Sequence, residues 1–304
     1  MKSTEESFER CKGLFNITVT PFDRDGAIDS GALEANIGRV LDLGYDGLLI
    51  GGTYGEFPAM SAVERSDLFR AVMSQVGDRV PVLLCTAGSD LREVKQLTEL
   101  AGTLGGLPMV TAPYVSEVND GHIEAYFREV TPLSPTGIMI YNAPGIGITL
   151  SPSLIQRLAE VPGVVALKQG ELGMASIDVL VSLLSGRIRM FAASDLTMIA
   201  PLAAGFDGLS STNSCGVPEV VIETYRAVRS GDLETARRRH LSWYPIRACA
   251  RELGQPQVVK AVMNARGFAG GHVRRPLLDL EGPARHRVEA ALATVRTDPD
   301  SRMS

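Results

Sequence analysis

Short apolar runs rich in β-branched residues alternate with longer amphipathic stretches, without a break, from Leu14 to about Arg229. Eight such pairs are read, with strands at 14–20, 47–50, 80–85, 108–111, 137–141, 164–168, 188–192 and 208–211. The stretches between them carry helical spacing. Leu33, Ile37, Val40 and Leu41 fall on one face, as do Ile177, Leu180, Val181 and Leu184, at the i, i+3 or i+4, i+7 positions that a buried helix side requires. Ser61 followed by Glu64 predicts a capping box, Ser151 before Pro152 an N-cap with proline in the first turn, and Gly44 and Gly77 helix ends. About 27 residues per pair is the length of one βα unit. Strands that are apolar on both faces are those of a sheet covered on both sides, so the pattern predicts a parallel (β/α)8 TIM barrel. The rival, a doubly wound open sheet, needs a glycine-rich phosphate loop after the first strand. Pro21-Phe22-Asp23-Arg24-Asp25-Gly26 is not one.

After Arg229 the strand pattern stops and helical stretches follow at about 232–253, 257–266 and 282–295. The expected organisation is a barrel over 1–230 and a C-terminal helical appendage over 231–304, its tail at 297–304 frayed. Composition adds exclusions. A formal charge of −5 and a pI near 5.5 offer no footprint for nucleic acid. Four scattered cysteines (Cys11, Cys85, Cys215, Cys249) and four histidines show no metal-ligand spacing, so reduced thiols, no metal and no cofactor are expected. The N-terminus is polar where a signal peptide is apolar, and no window approaches the ~18 apolar residues of a membrane span. The reading is a cytoplasmic protein without a membrane partner.

A barrel enzyme carries its chemistry where its strands end. Strand two ends in Gly51-Gly52-Thr53-Tyr54-Gly55-Glu56, whose glycines let backbone amides approach a ligand and whose Thr53 and Tyr54 add hydroxyls; a tight turn before the next helix would explain the glycines equally well. Strand five ends in Tyr141-Asn142-Ala143-Pro144, a phenol at the mouth or a core aromatic. Strand six ends in Lys168, the one lysine of five to terminate an apolar strand. With period two it shares a face with Ala166 and Val164, so pointing inward it enters an apolar cavity; pointing outward it snorkels at the rim. Burial disfavours the ammonium form and frees the amine as a nucleophile. A neutral lysine beside a phenol is what Schiff-base chemistry on a carbonyl needs. The other ends, Pro113-Tyr114, Ser194-Asp195 and Ser210-Ser211-Thr212-Asn213, supply hydroxyls and one carboxylate but no clustered metal ligands. Lys260, in a helix of the appendage, is a poor nucleophile candidate, and Arg237-Arg238-Arg239-His240 reads as a solvated or ion-paired helix face.

Gly52-Thr53-Tyr54-Gly55-Glu56, Tyr141-Asn142-Ala143-Pro144 and Ala166-Leu167-Lys168-Gln169, with the opening Thr18-Val19-Thr20-Pro21-Phe22 and the closing Val273-Arg274-Arg275-Pro276-Leu277, resemble the dihydrodipicolinate synthase/N-acetylneuraminate lyase family of class I pyruvate-dependent aldolases. The resemblance covers nearly the whole chain. It implies Lys168 as the Schiff-base lysine, Tyr141 as the proton-transfer phenol and Thr53 as its hydrogen-bonding partner. It also implies substrate binding by Thr53, Tyr54, Gly52 and Ser210, a 2-oxo acid and an aldehyde as substrates, and a homotetramer. Two positions depart from the lysine-pathway synthases. Val115 stands where they usually carry a tyrosine that reaches the neighbouring subunit, and Ile146 where they carry an arginine for a second carboxylate. Lys168-Gln169 and Ser211-Thr212 look more like the sialic acid lyase branch, yet Leu196 follows Asp195 where that branch tends to have a second acid.

The expected function is therefore a Schiff-base-forming lyase or aldolase acting on pyruvate or a related 2-oxo acid. The alternatives are a 4-hydroxy-tetrahydrodipicolinate synthase, a 2-oxo acid dehydratase using the same iminium, and a catalytically weak barrel that binds a 2-oxo acid. Ile146 and Val115 predict an apolar mouth, since an alkyl group cannot pair with a carboxylate, and hence an uncharged aldehyde partner. An arginine from elsewhere in the chain entering the site would reverse that expectation.

Overall fold

Eight strands, β1 (Gly13–Ile17), β2 (Gly47–Ile50), β3 (Val82–Cys85), β4 (Leu107–Thr111), β5 (Ile138–Asn142), β6 (Val164–Gln169), β7 (Arg189–Ala192) and β8 (Gly208–Ser211), pair in parallel and in sequence order, and β8 returns to β1 to close a barrel. Closure removes both edges, so every strand has a neighbour on each side. All strand residues except Arg189 are buried, which is why the runs read as nearly continuous apolar segments. This computed structural model describes residues 1–143, 146–170 and 173–295. Pro144 of the strand-five motif and the 297–304 tail lie outside the described residues.

Inside the barrel, Phe15 of β1 and Phe191 of β7 meet edge to face with centroids 4.9 Å apart. Their registered neighbours are Gly47 and Gly208. A Cβ at either glycine would stand 2.5 Å from the facing ring, so the two rings fill the barrel because two side chains are missing. This aromatic layer closes the barrel below the strand ends.

Helices α1 (Thr4–Arg10), α2 (Ser30–Asp42), α3 (Ala62–Val76), α4 (Leu91–Thr103), α5 (Asp120–Val130), α6 (Pro152–Leu158), α7 (Met174–Leu184), α8 (Ile199–Ala204), α9 (Asn213–Gly216) and α10 (Pro218–Arg229) complete the βα part. The Ser61–Glu64 capping box, the Ser151 cap before Pro152 and the positive φ of Gly44 and Gly77 are all present. Sequence reading missed α1, although Ser3 caps it by accepting from the Glu6 amide, a signal visible as Ser-x-x-Glu. It also ran the first strand to residue 20. The ladder stops at Ile17, and beyond it Thr18 donates its amide to Leu49 while the Thr20 hydroxyl donates to the Gly55 carbonyl at 2.7 Å. β-branched residues there support a turn rather than a strand.

Three further helices, α11 (Leu233–Leu253), α12 (Gln255–Ala265) and α13 (Gly282–Ala293), follow the barrel. The boundary read at 230 falls in the turn between α10 and α11, where Gly231 has φ +81°. α11 buries Trp243, Ile246 and Ala250, and α12 buries Val258, Val259, Val262 and Met263. Lys260 of α12 is buried too. Its ammonium donates to Glu56 Oε1 at 2.6 Å and to the carbonyls of Thr20 and His272 at 2.7 and 2.6 Å, so its three donors join α12 to the turn after β2, to the segment after β1 and to the segment after α12 itself. Among the described residues no helix is long and apolar enough to cross a membrane, and no group of three or more His, Cys, Asp or Glu could hold a metal ion. The four cysteines are unpaired and buried.

Candidate active site

Lys168 ends the apolar run of β6 in register with Tyr141 of β5 and Phe191 of β7, and parallel pairing puts registered side chains on one face. It is 3% exposed, and its Nζ lies 3.9 Å from the centroid of the Tyr141 ring. The strand-end lysine therefore points inward, not to the rim. Burial pulls its pKa from the usual lysine range down to about 7, with the Cys85 thiol opposing slightly. A large fraction is the neutral amine near neutral pH. Burial moves Tyr141 the other way, well above the usual phenol range, so this phenol keeps its proton. Its hydroxyl is 3.1 Å from Thr53 Oγ1, the only opposing influence of size.

Thr53 sits in a single 3-10 turn, Thr53–Gly55, that begins after Gly52. The first amides of such a turn have no acceptor within it, leaving the N–H groups of Thr53 and Tyr54 at the strand end. The turn stops at Glu56, a non-glycine residue with φ +61°. That left-handed backbone is costly for a side chain other than glycine. It is held because the buried Glu56 carboxylate accepts from Lys260 Nζ at 2.6 Å and from the Arg274 amide at 2.9 Å.

Above these groups opens a cavity of about 420 Å³. Thr53, Tyr54 and Tyr141, three of the residues singled out in the sequence, line it together with Ala143 and Ile146 after β5, Gly170 after β6, Ala193, Ser194 and Asp195 after β7, and Thr212 after β8. Three predicted site residues are not among its lining. Lys168 is buried against the ring of Tyr141, which does line the cavity. Gly52 precedes the turn, with its Cβ position 2.7 Å from Leu49 Cδ2. Ser210 is fully buried, registers with Phe15 in the aromatic layer and has its hydroxyl 3.4 Å from the Ala192 carbonyl. The residue two positions on, Thr212, reaches the cavity instead.

Asp195 is buried and already saturated. It accepts from Ser211 Oγ at 2.6 Å, from the Asn213 amide at 3.2 Å and from Asn213 Nδ2 at 2.9 and 3.0 Å. His240, read from the sequence as part of a solvated or ion-paired helix face, instead approaches its carbonyl at 2.9 Å and packs edge-on against Trp243.

Sequence reading missed two lining residues, Arg247 of α11 and Gln255 of α12. No motif marks either one. The nearest signal is Pro245, a proline inside α11, which removes the hydrogen bond to the Leu241 carbonyl two residues before Arg247. Arg247 also corrects the expectation of an apolar mouth. Ile146 does line the cavity, but Val115 is 61% exposed and outside the lining, and a guanidinium enters from the C-terminal helices.

The dihydrodipicolinate synthetase family model matches residues 10–295. The chain is 31% identical over 283 residues to the 4-hydroxy-tetrahydrodipicolinate synthase of Synechococcus elongatus, covering 92% of this chain and 93% of that protein. It is 29% identical over 276 residues to the enzyme of the same name from Ralstonia nicotianae, covering 90% and 94%. Dihydrodipicolinate synthase from Bacillus anthracis superposes with a TM-score of 0.89 at 25% identity, over 94% of this chain and 98% of that one. The chloride-inhibited dihydrodipicolinate synthase of Acinetobacter baumannii, solved with pyruvate, shares the fold with a TM-score of 0.88 at 23% identity, over 93% and 98%. A match over nearly the full length, on the same barrel, decides the assignment: the chain belongs to the dihydrodipicolinate synthetase family, and with it to the class I aldolase-type lyases.

Proposed function

We propose that this protein makes or breaks a carbon–carbon bond next to the carbonyl of pyruvate or a related 2-oxo acid, through a Schiff base on Lys168. The observation that carries the reading is a buried lysine amine, depressed to about pKa 7, against the ring of a phenol that is itself hydrogen-bonded to Thr53. In the synthetic direction the Lys168 amine attacks the ketone carbon, and the carbinolamine loses water to give an iminium. The iminium draws electrons from the adjacent methyl group, which passes a proton through the Tyr141 hydroxyl and becomes an enamine that attacks the aldehyde; water then hydrolyses the product iminium and frees the Lys168 amine. Tyr141 shuttles the protons of water loss and of the new alkoxide, with Thr53 orienting its hydroxyl. The 2-oxo acid carboxylate is held by the amides of Thr53 and Tyr54. Loss of water from a hydroxylated 2-oxo acid would use the same iminium.

Incubation with pyruvate and borohydride should leave one reduced adduct, on the peptide that holds Lys168. Labelling of Lys260 instead, or none in active protein, would overturn the assignment. The unpaired buried thiols support a reducing, cytoplasmic setting. Assembly as a homotetramer belongs to the same reading, and sedimentation of the purified chain tests it.

A further inference from the structure

Thr111 ends β4 in register with Tyr141, which is in turn in register with Lys168. Parallel pairing sets these side chains side by side on the inner face of the barrel. Thr111 is 3% exposed, and its Oγ1 is buried with no hydrogen-bond partner among the described residues. Beneath it on the same face come Met109 and the two residues registered with Met109, which are Cys85 and Met139, so only a weakly polar thiol lies on that side. The Tyr141 hydroxyl beside it is turned to Thr53. A hydroxyl held off water and given no partner costs free energy that a valine of the same shape would not.

The Lys168 amine points toward this strand. Its Nζ lies over the Tyr141 ring, 3.9 Å from the centroid, and so extends from β6 toward β5. The Cys85 thiol of β3 acts electrostatically on both the amine and the phenol, and β4 is the strand between β3 and β5. Thr111 therefore borders the space that the amine faces.

Addition of the amine to a 2-oxo acid creates in that space the partner that Thr111 lacks. The C–N bond forms, a proton passes from nitrogen to the carbonyl oxygen, and the carbinolamine hydroxyl stands on the carbon bonded to Nζ. The nitrogen lone pair then forms C=N as the C–O bond breaks, and the leaving oxygen departs as water with the proton of Tyr141. The proton later lost by the methyl group restores the phenol.

We propose that Thr111 is a further catalytic residue of this site: its hydroxyl donates to the carbinolamine oxygen and holds it where Tyr141 protonates it. The proposal rests on the Schiff-base reading above.

The test follows iminium formation in time. Protein and pyruvate are mixed, samples are quenched at intervals with excess borohydride, and the reduced Lys168 peptide is quantified by mass spectrometry. Thr111→Val should slow the approach to the plateau by about ten- to a hundred-fold, as expected for loss of one preorganised donor to a reacting oxygen. The plateau itself should not change, because the iminium has already lost the oxygen that Thr111 holds. Thr111→Ser, which keeps the hydroxyl, should retain most of the wild-type rate. Thermal unfolding separates this role from packing: valine removes an unpartnered buried hydroxyl, so the slow variant should melt no lower than wild type. A wild-type rate in Thr111→Val, equal slowing in both variants, or slowing that comes with a lower Tm in Thr111→Val would make Thr111 a packing residue and overturn the proposal while the Schiff base stands. A wild-type Lys168 that pyruvate does not trap removes both readings.

Discussion

Replacing Lys168 by methionine should stabilise the protein, and by an amount that depends on pH. The side chain is 3% exposed and burial lowers its pKa to about 7, against 10.5 for a lysine in water. Between these two values the unfolded chain holds a proton that the folded chain does not. Stability therefore rises with pH through that window, and the full cost of charging Lys168 is felt below it. At 1.4 kcal/mol per unit the penalty is about 4 kcal/mol at pH 7 and about 2 kcal/mol at pH 9. Methionine has similar length and no charge to desolvate, so it escapes the penalty at both. Equilibrium urea unfolding of wild type and Lys168→Met at pH 7 and pH 9 measures the difference directly. The variant should be the more stable at both, with the gap narrowing by about 2 kcal/mol at the higher pH. A gap that does not change with pH would mean that the amine is not depressed, and the nucleophile argument would lose its physical basis.

Tyr141→Phe should lower turnover by roughly 10²- to 10⁴-fold, the usual worth of a positioned acid–base group, with a modest loss of stability; a rate close to wild type would return Tyr141 to a packing role. Lys260→Met leaves the Glu56 carboxylate buried without its cation, and should cost roughly 3–5 kcal/mol of stability in thermal or denaturant unfolding. An effect below about 1 kcal/mol would show that Glu56 does not depend on the ion pair.

The barrel was legible because parallel strands covered on both faces are written as short apolar runs, and β2 and β8 were bounded to the residue. Lys168 stood out for the same reason, a cation where apolar residues should continue. Arg247 had no such contrast. It is one of 25 arginines, on a helix whose polar face reads as solvent-facing, and its place over the cavity depends on how α11 packs against a barrel built from residues far away in sequence. Ser210 failed in the opposite way. Which layer of the barrel it occupies is decided by register with Phe15, and register is not visible in one strand alone.

The Lys260–Glu56 pair also constrains how this chain can change. The two residues are 204 positions apart, yet each is 2% exposed and each is the other's counter-charge. Loss of either alone strands a buried charge, whereas replacing both strands none and leaves only the Thr20 and His272 carbonyls and the Arg274 amide to find new partners. The two positions are thus separated by a fitness valley that no single substitution crosses cheaply. A mutant library that samples one site at a time will record both as intolerant and will miss the variants in which they change together.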